Sequence, residues 1–228
     1  KRYMDKKKLT LPPTEVADPD GREFDRLPVS EQLRRLLASQ ASAIDMVQKI
    51  SHPIALAVEA AAERLRGGEG RLVYAGAGCS IRIGVQDGVE LVPTFGWPLS
   101  RVTYLIAGGS RALSVSVEGA EDDASAARRE VDNCSVSDLD VVIGITASGN
   151  TSFTCQILES SIARGALTIG VSSNPRGRLI EIVDHPLVTA TGSEVLAGST
   201  RLGAGTAQKA LLNCFSTALM TQLGRVLG

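Results

Sequence analysis

Arg71-Leu72-Val73-Tyr74-Ala75-Gly76-Ala77-Gly78-Cys79-Ser80 is the stretch that decides the fold. A short apolar run passes directly into small residues and a hydroxyl, which make the turn into a helix that Ser80 opens. The same design recurs. Residues 102–107, 140–146, 167–171 and 187–190 are further short runs rich in Val, Ile and Leu, with helix-compatible segments between most of them. Strands this continuously apolar, separated by helices, predict an α/β fold whose parallel sheet is buried on both faces.

Upstream of the alternation, Leu33, Leu36, Leu37, Ala41, Ile44, Val47 and Ile50 keep helical spacing from Ser30 onward. Ile54, Val58, Ala61 and Leu65 mark a second helix, with Ser51 placed to cap it, Pro53 in its first turn and Gly67-Gly68 to stop it. Beyond the last strand, Ala207, Leu211, Leu212, Phe215, Leu219 and Leu223 share one side of a closing helix over residues 204–226 that can cover the sheet. Residues 1–24 carry Lys1, Arg2, Lys6, Lys7 and Lys8 beside Pro12-Pro13 and Asp18-Pro19-Asp20, and read as a flexible, solvated tail. Residues 25–228 read as one domain that includes the N-terminal helices.

With 228 residues, 43% apolar and 21% charged, the chain can bury a core without staples, which excludes disorder, collagen and a disulfide miniprotein. Its 24 Lys and Arg against 25 Asp and Glu leave a net charge of -1, so no strong field recruits nucleic acid or a membrane surface, and neither is expected as a partner. No apolar run reaches membrane-spanning length and the basic N-terminus lacks the apolar stretch of an export signal, so a soluble, cytoplasmic protein is expected. Cys79, Cys134, Cys155 and Cys214 fall at no zinc-like spacing and read as reduced and buried. His52 and His185 are the only histidines, so neither a metal centre nor a histidine relay is expected.

In an open parallel sheet, ligands bind outside the carboxyl ends of the strands, near a topological switch point. The loops that follow the strands are Gly76-Ala77-Gly78-Cys79-Ser80, Gly108-Gly109-Ser110, Thr146-Ala147-Ser148-Gly149-Asn150-Thr151-Ser152 and Ser172-Ser173-Asn174-Pro175, all built of small residues and hydroxyls. Small residues let backbone amides close around an anion, and the helix that follows adds the positive end of its dipole. Phosphate is the natural guest. No Gly-Lys-Ser/Thr follows and the third glycine of a dinucleotide fingerprint is missing, which weighs against nucleotide cofactors. The plain alternative for any one loop is a strand-to-helix turn with an N-cap.

The ordered set of motifs reaches further. It comprises Gly76-Ala77-Gly78 with Ser80, Arg82 and Gly84; Pro93-Thr94-Phe95-Gly96; Ile106-Ala107-Gly108-Gly109; Val117-Glu118-Gly119-Ala120-Glu121-Asp122; Ala147-Ser148-Gly149 with Thr151; Ser172 with Asn174-Pro175; and Glu194-Val195-Leu196, Gly198-Ser199-Thr200-Arg201-Leu202 and Ala204-Gly205-Thr206-Ala207-Gln208-Lys209. With these, the chain from about Asp25 onward resembles the sugar isomerase (SIS) domain group, and within it the N-acetylmuramic acid 6-phosphate etherases and the related glucokinase regulatory protein. The resemblance implies a three-layer α/β/α sandwich around a five-stranded parallel sheet, flavodoxin-like, a homodimer, no cofactor, and a phosphorylated amino sugar as substrate. It also implies a reaction. A base takes the C2 proton of the open-chain sugar, an acid assists lactate off C3, and water adds to the unsaturated aldehyde. Etherases of this group continue beyond the position of Gly228 into a C-terminal helical region.

By motif, the two carboxyl groups would be Glu90 and Glu121, with proton removal leaning to Glu121. Glu90 falls near the end of the helix opened by Ser80, beside Leu91, Val92 and Pro93, where a helix dipole and exclusion of water favour a protonated carboxyl suited to a general acid. Asp122 and Asp123 are read as helix-start residues. Phosphate is assigned to Ser148, Gly149, Asn150, Thr151 and Ser152, with Gly78 and Ser80 reaching the ligand from the first loop. In the Ser199-Thr200-Arg201 loop, Arg201 is a candidate for supplying charge, against a surface ion pair. Glu194 is a candidate for a sugar hydroxyl, against a loop cap, and Lys209 is read as structural or as a dimer contact. The chain departs from the etherase pattern in Cys79-Ser80-Ile81-Arg82 for Thr-Ser-Gly-Arg, where Ile81 in place of the glycine would narrow the pocket or perturb the turn before the helix. It departs again in Gly88-Val89-Glu90-Leu91-Val92-Pro93 for Ala-Ser-Glu-Cys-Pro-Pro, which gives Glu90 bulkier neighbours, and in Asn150 for an arginine and Gly203 for a lysine. A phosphosugar-sensing regulator and an aldose-ketose isomerase remain as alternatives.

Overall fold

The computed structural model describes residues 11–16 and 23–226. Its order is α1 (Val29–Lys49), α2 (Ser51–Leu65), β1 (Leu72–Gly76), α3 (Gly78–Phe95), β2 (Val102–Ile106), α4 (Ala124–Asn133), β3 (Val141–Thr146), α5 (Ser152–Ile162), β4 (Leu167–Ser172), α6 (Arg178–Ile182), β5 (His185–Val188) and α7 (Gly203–Gln222). Four strands lie within a residue of their expected bounds, while β5 starts two residues early, at His185. Ser51 is the first residue of α2 and no side chain caps that helix, because α1 and α2 are separated by Ile50 alone and leave no room for an extended cap residue.

The strands form one parallel sheet in the order β2-β1-β3-β4-β5. Strand side chains alternate between faces. Leu72 and Tyr74 of β1, with Val141, Ile143 and Ile145 of β3, enter the core shared with α2, α3 and α7. Val73, Ala75 and Val142 point the other way, into a second core with Ala127 and Val131 of α4, Phe153, Ile157 and Leu158 of α5, and Leu179 of α6. Two cores on opposite faces give the three-layer α/β/α sandwich.

Residues 11–16 depart from the expectation of a solvated tail; the rest of that segment, 1–10 and 17–22, lies outside the described residues. Pro13–Glu15 forms a 3-10 turn, Thr14 is fully buried, and the Thr14 carbonyl accepts a 2.9 Å bond from the Gly198 amide. Pro12 holds the chain extended before the turn and Pro13 opens it, which lowers the entropy lost on docking the segment.

At the opposite edge of the sheet, buried Asp140 joins the starts of β1 and β3. It accepts from the Arg71 amide at 2.9 Å, from Arg71 Nη2 at 2.7 Å and from the Ser137 amide at 3.0 Å. Burial pushes its carboxyl up, but the Arg71 guanidinium and the two amides outweigh this and hold it below the usual carboxylate range. A depressed carboxyl stabilises the fold fully above its unfolded value of 3.8, and that contribution is lost as pH falls through the folded value. Asp140→Asn should therefore cost about 3 kcal/mol near neutral pH, and the penalty in melting temperature should shrink as the pH is lowered below 3.8. A penalty independent of pH would refute this account of the latch.

Candidate active site

The chain leaves β1 toward β2, then crosses back over β1 to lay β3 on its other side. The connections after β1 and β3 therefore part company and leave a crevice between them at the carboxyl edge. A cleft of about 450 Å³ occupies that place, lined by Ala77, Gly78, Cys79 and Ser80 after β1 and by Thr146, Ala147, Ser148, Asn150 and Thr151 after β3. Two helices begin at its floor. Neither Ala77, which caps α3, nor Thr151, which caps α5, bonds its side chain to the helix amides, so both N-termini keep amides for a guest.

Hydroxyl chemistry fixes the second loop. Thr151 Oγ1 is 2.7 Å from Thr146 Oγ1, Ser148 Oγ accepts from the Asn150 amide at 3.2 Å, and Asn174 Nδ2 donates to the Ser148 carbonyl at 2.8 Å. Asn150 Oδ1 accepts from the Arg178 amide at 2.9 Å, tying the loop to the start of α6. Gly149 is buried and lends no wall. It has φ +73°, and a β-carbon there would stand 2.8 Å from both Gly177 Cα and Ser172 Oγ. Only glycine fits, and its contact with Gly177 presses the loop after β3 against the loop after β4.

Of the residues expected in the site, Gly78, Ser80, Ser148, Asn150, Thr151 and Glu121 line the cleft. Ser152 opens α5 behind them without lining it. Arg201 is exposed and Ser199 half-buried, and in their loop Gly198 and Thr200 line the cleft instead. Glu194 is 1% exposed and accepts from the amides of Gly203 at 2.9 Å and Ala204 at 2.8 Å, so it caps α7 and faces no sugar. Glu90 lies on the exposed side of α3 beside Leu91, which is buried; successive residues turn about 100° around the helix, so Leu91 takes the core and Glu90 the solvent. The dry surroundings expected for Glu90 are absent, and it does not line its own chain's cleft.

Besides Gly198 and Thr200, lining residues that escaped the sequence include Asp122, Pro12 and Glu15. Asp122 shares the 3-10 turn of Glu121 and reaches the cleft, while Asp123 does cap α4, accepting from the Ala126 amide at 2.8 Å. Pro12 and Glu15 arrive from the N-terminal segment. A smaller space of about 250 Å³ adjoins the cleft, sharing Ala77, Gly78 and Glu121 with it and walled by Arg82, whose guanidinium donates twice to the Ala112 carbonyl. Burial pushes the Cys79 thiol up, against the pull of Arg82 and Arg201, so this sulfur stays protonated and serves as wall, not nucleophile. Ile81 points into the core and is fully buried, so it does not narrow the cleft.

This sheet, with amides and hydroxyls gathered at the strand-order reversal, defines a domain of the SIS class. Residues 53–161 match the glucokinase regulatory protein N-terminal SIS domain. A phosphoheptose isomerase structure from Francisella tularensis shares the fold with a TM-score of 0.63 at 16% identity, covering 86% of this chain and 100% of that one. The N-acetylmuramic acid 6-phosphate etherases of Rubrobacter xylanophilus and Deinococcus radiodurans are 46% and 45% identical over 94% of this chain, which spans 71% and 70% of their lengths. The chain belongs to the N-acetylmuramic acid 6-phosphate etherase family.

Gly149→Ala tests the loop. The left-handed backbone and the contact with Gly177 should together cost about 1–3 kcal/mol, and inorganic phosphate should bind about tenfold more weakly. Unchanged melting and unchanged phosphate affinity would show that the two loops need no such contact.

Proposed function

We propose that this chain is a lyase that cleaves the D-lactyl ether of N-acetylmuramic acid 6-phosphate, leaving N-acetylglucosamine 6-phosphate and D-lactate, by elimination and then hydration. The observation that carries the reading is the cleft itself: Glu121 lines it together with a loop of hydroxyls and two open helix N-termini, in a chain of the etherase family. The helix N-termini and the hydroxyls of Ser80, Ser148 and Thr151 hold the phosphate. That anchor leaves the C2 and C3 end of the open-chain sugar toward Glu121, which removes the C2 proton, and the smaller space beyond Glu121 gives room for the departing lactate. Elimination breaks the C2–H and C3–O bonds, forms the C2=C3 double bond and releases lactate, and water then adds across that bond. Each step is assisted by proton transfer, for which the carboxyl groups suffice without a cofactor.

Glu90 enters the reading only through a second copy. Ten residues of α3 separate it from Ser80, about 15 Å along the axis, so it is remote from its own cleft and free to serve a neighbour's. In a two-fold pair each site would then combine Glu121 of one chain with Glu90 of the other, which supports the homodimer. A cytoplasmic location and a role in recycling cell-wall sugar belong to the same proposal; of the four cysteines only Cys155 is buried as expected, Cys79 and Cys134 being half-buried and Cys214 exposed.

Incubation with N-acetylmuramic acid 6-phosphate in deuterated water separates the readings. D-Lactate with deuterium at C2 of the product supports elimination; a labelled ketose without lactate would make the chain an isomerase, and binding without turnover a regulator. Glu121→Gln should lower lactate release by roughly 10²–10⁴-fold while phosphosugar affinity stays within about twofold. Mixing equal amounts of inactive Glu90→Gln and Glu121→Gln chains should restore about a quarter of the activity, because half of randomly paired two-fold dimers are mixed and one of their two sites is intact. A mixture that stays inactive would rule out the shared site.

A further inference from the structure

The geometry points to Glu15 as a further sugar-positioning residue, carried into the cleft on an N-terminal strap so that its carboxylate accepts a hydrogen bond from a hydroxyl of the bound phosphosugar. The inference rests on the phosphosugar reading of this cleft and adds a contact which that reading does not contain.

Three observations converge. The first is position. Pro12 and Glu15 line the cleft alongside Gly78, Ser80, Ser148 and Glu121, although more than sixty residues separate them from the nearest of these in sequence. The second is anchorage. Thr14, between those two residues, is fully buried, and its carbonyl accepts the Gly198 amide at 2.9 Å; Gly198 is itself part of the cleft wall. The Glu15 amide donates to the Pro12 carbonyl at 2.9 Å and the Val16 amide to the Pro13 carbonyl at 3.2 Å, so the turn is closed on itself. A glutamate on a loose tail would sample many places, whereas this one is held at the rim of one cavity by a buried neighbour. The third is an open acceptor. No described residue donates a hydrogen bond to the Glu15 carboxylate, and the nearby Asp122 and Glu121 carboxylates are likewise unpaired among the described residues.

Charge then selects what Glu15 meets. Glu15, Glu121 and Asp122 are all acidic, and carboxylates repel a phosphate that carries roughly -1.5 to -2 at pH 7. The phosphate goes to the donors, the amides at the starts of α3 and α5 and the hydroxyls of Ser148 and Thr151. A ligand anchored there turns its carbon chain toward the carboxylates. Sugar hydroxyls are donors in need of acceptors, and an unpaired carboxylate has acceptor capacity on both oxygens. Glu121 is occupied with the C2 proton. Glu15, on a different element, is placed to hold the sugar while that proton is taken.

The test uses the full chain carrying Glu15→Ala, with Glu15→Gln as the conservative variant. Affinity for N-acetylglucosamine 6-phosphate, read by calorimetry, should fall about tenfold in Glu15→Ala and less in Glu15→Gln. Inhibition by inorganic phosphate should be unchanged in both. With N-acetylmuramic acid 6-phosphate, the loss should appear in KM, with kcat within about twofold. Monodeoxy analogues of N-acetylglucosamine 6-phosphate identify the partner: one should bind wild type poorly yet bind Glu15→Ala no worse than the parent sugar does. Equal affinity of wild type and Glu15→Ala for the phosphosugar would overturn the assignment, as would an additive loss on every analogue. The calorimetric arm needs no turnover. A wild-type chain that binds the phosphosugar but releases no lactate refutes the etherase reading, while the affinities of the Glu15 variants still decide whether Glu15 holds the sugar.

Discussion

Everything in this molecule depends on the place where the chain reverses its direction of travel across the sheet. Five parallel strands end at the same edge, but only between β1 and β3 do the outgoing connections turn to opposite sides. Elsewhere a connection covers the ends of its neighbours. Here it cannot, and the crevice admits the N-termini of α3 and α5 from both flanks. The carboxyl edge becomes a set of unsatisfied donors, and an anion satisfies them without any dedicated cation.

That arrangement separates two tasks which one kind of residue could not perform. Holding a dianion calls for donors, and taking a proton from carbon calls for an acceptor. The donors come from backbone and hydroxyls, fixed by the Gly149–Gly177 contact and by Asn174. The acceptors come from segments outside the sheet's own turns, the 3-10 turn at residues 120–122 and the N-terminal strap. Acids and donors thus come from different elements that line one cleft.

The sequence disclosed these two halves unequally. Strands were legible as short, continuously apolar runs and helices as apolar positions repeating every 3.6 residues, and the loop from Thr146 to Thr151 was legible because small residues and hydroxyls follow a strand directly. Asp122 was hidden by being one of three consecutive acids, of which Asp123 does cap a helix, so composition could not divide them. Glu15 was hidden more deeply, because a basic, proline-bearing segment reads as solvated and nothing local records that the Thr14 carbonyl meets the Gly198 amide. Glu90 carried a motif, but a motif does not record which way a side chain faces, and Glu90 lies on the exposed side of α3. Glu194 and Arg201 show the converse, since their neighbours Thr200 and Gly198 reached the cleft while they did not.

Three of the departures from the etherase pattern look damaging on paper and are each absorbed locally. Ile81, in the place of a glycine, turns away from the cleft and adds a fully buried side chain to the core under α3. Asn150, in the place of an arginine, gives up a cation but accepts the Arg178 amide and so holds the phosphate loop to α6. Gly203, in the place of a lysine, donates its amide to Glu194, and a β-carbon there would already stand 3.2 Å from Glu194 Oε2, so a small residue suits a tightly capped helix. In each case the charge or flexibility given up is exchanged for rigidity in the frame behind the cleft. A site that binds its anion mainly through amides gains from such an exchange, because amides hold an anion only as well as the backbone holds them.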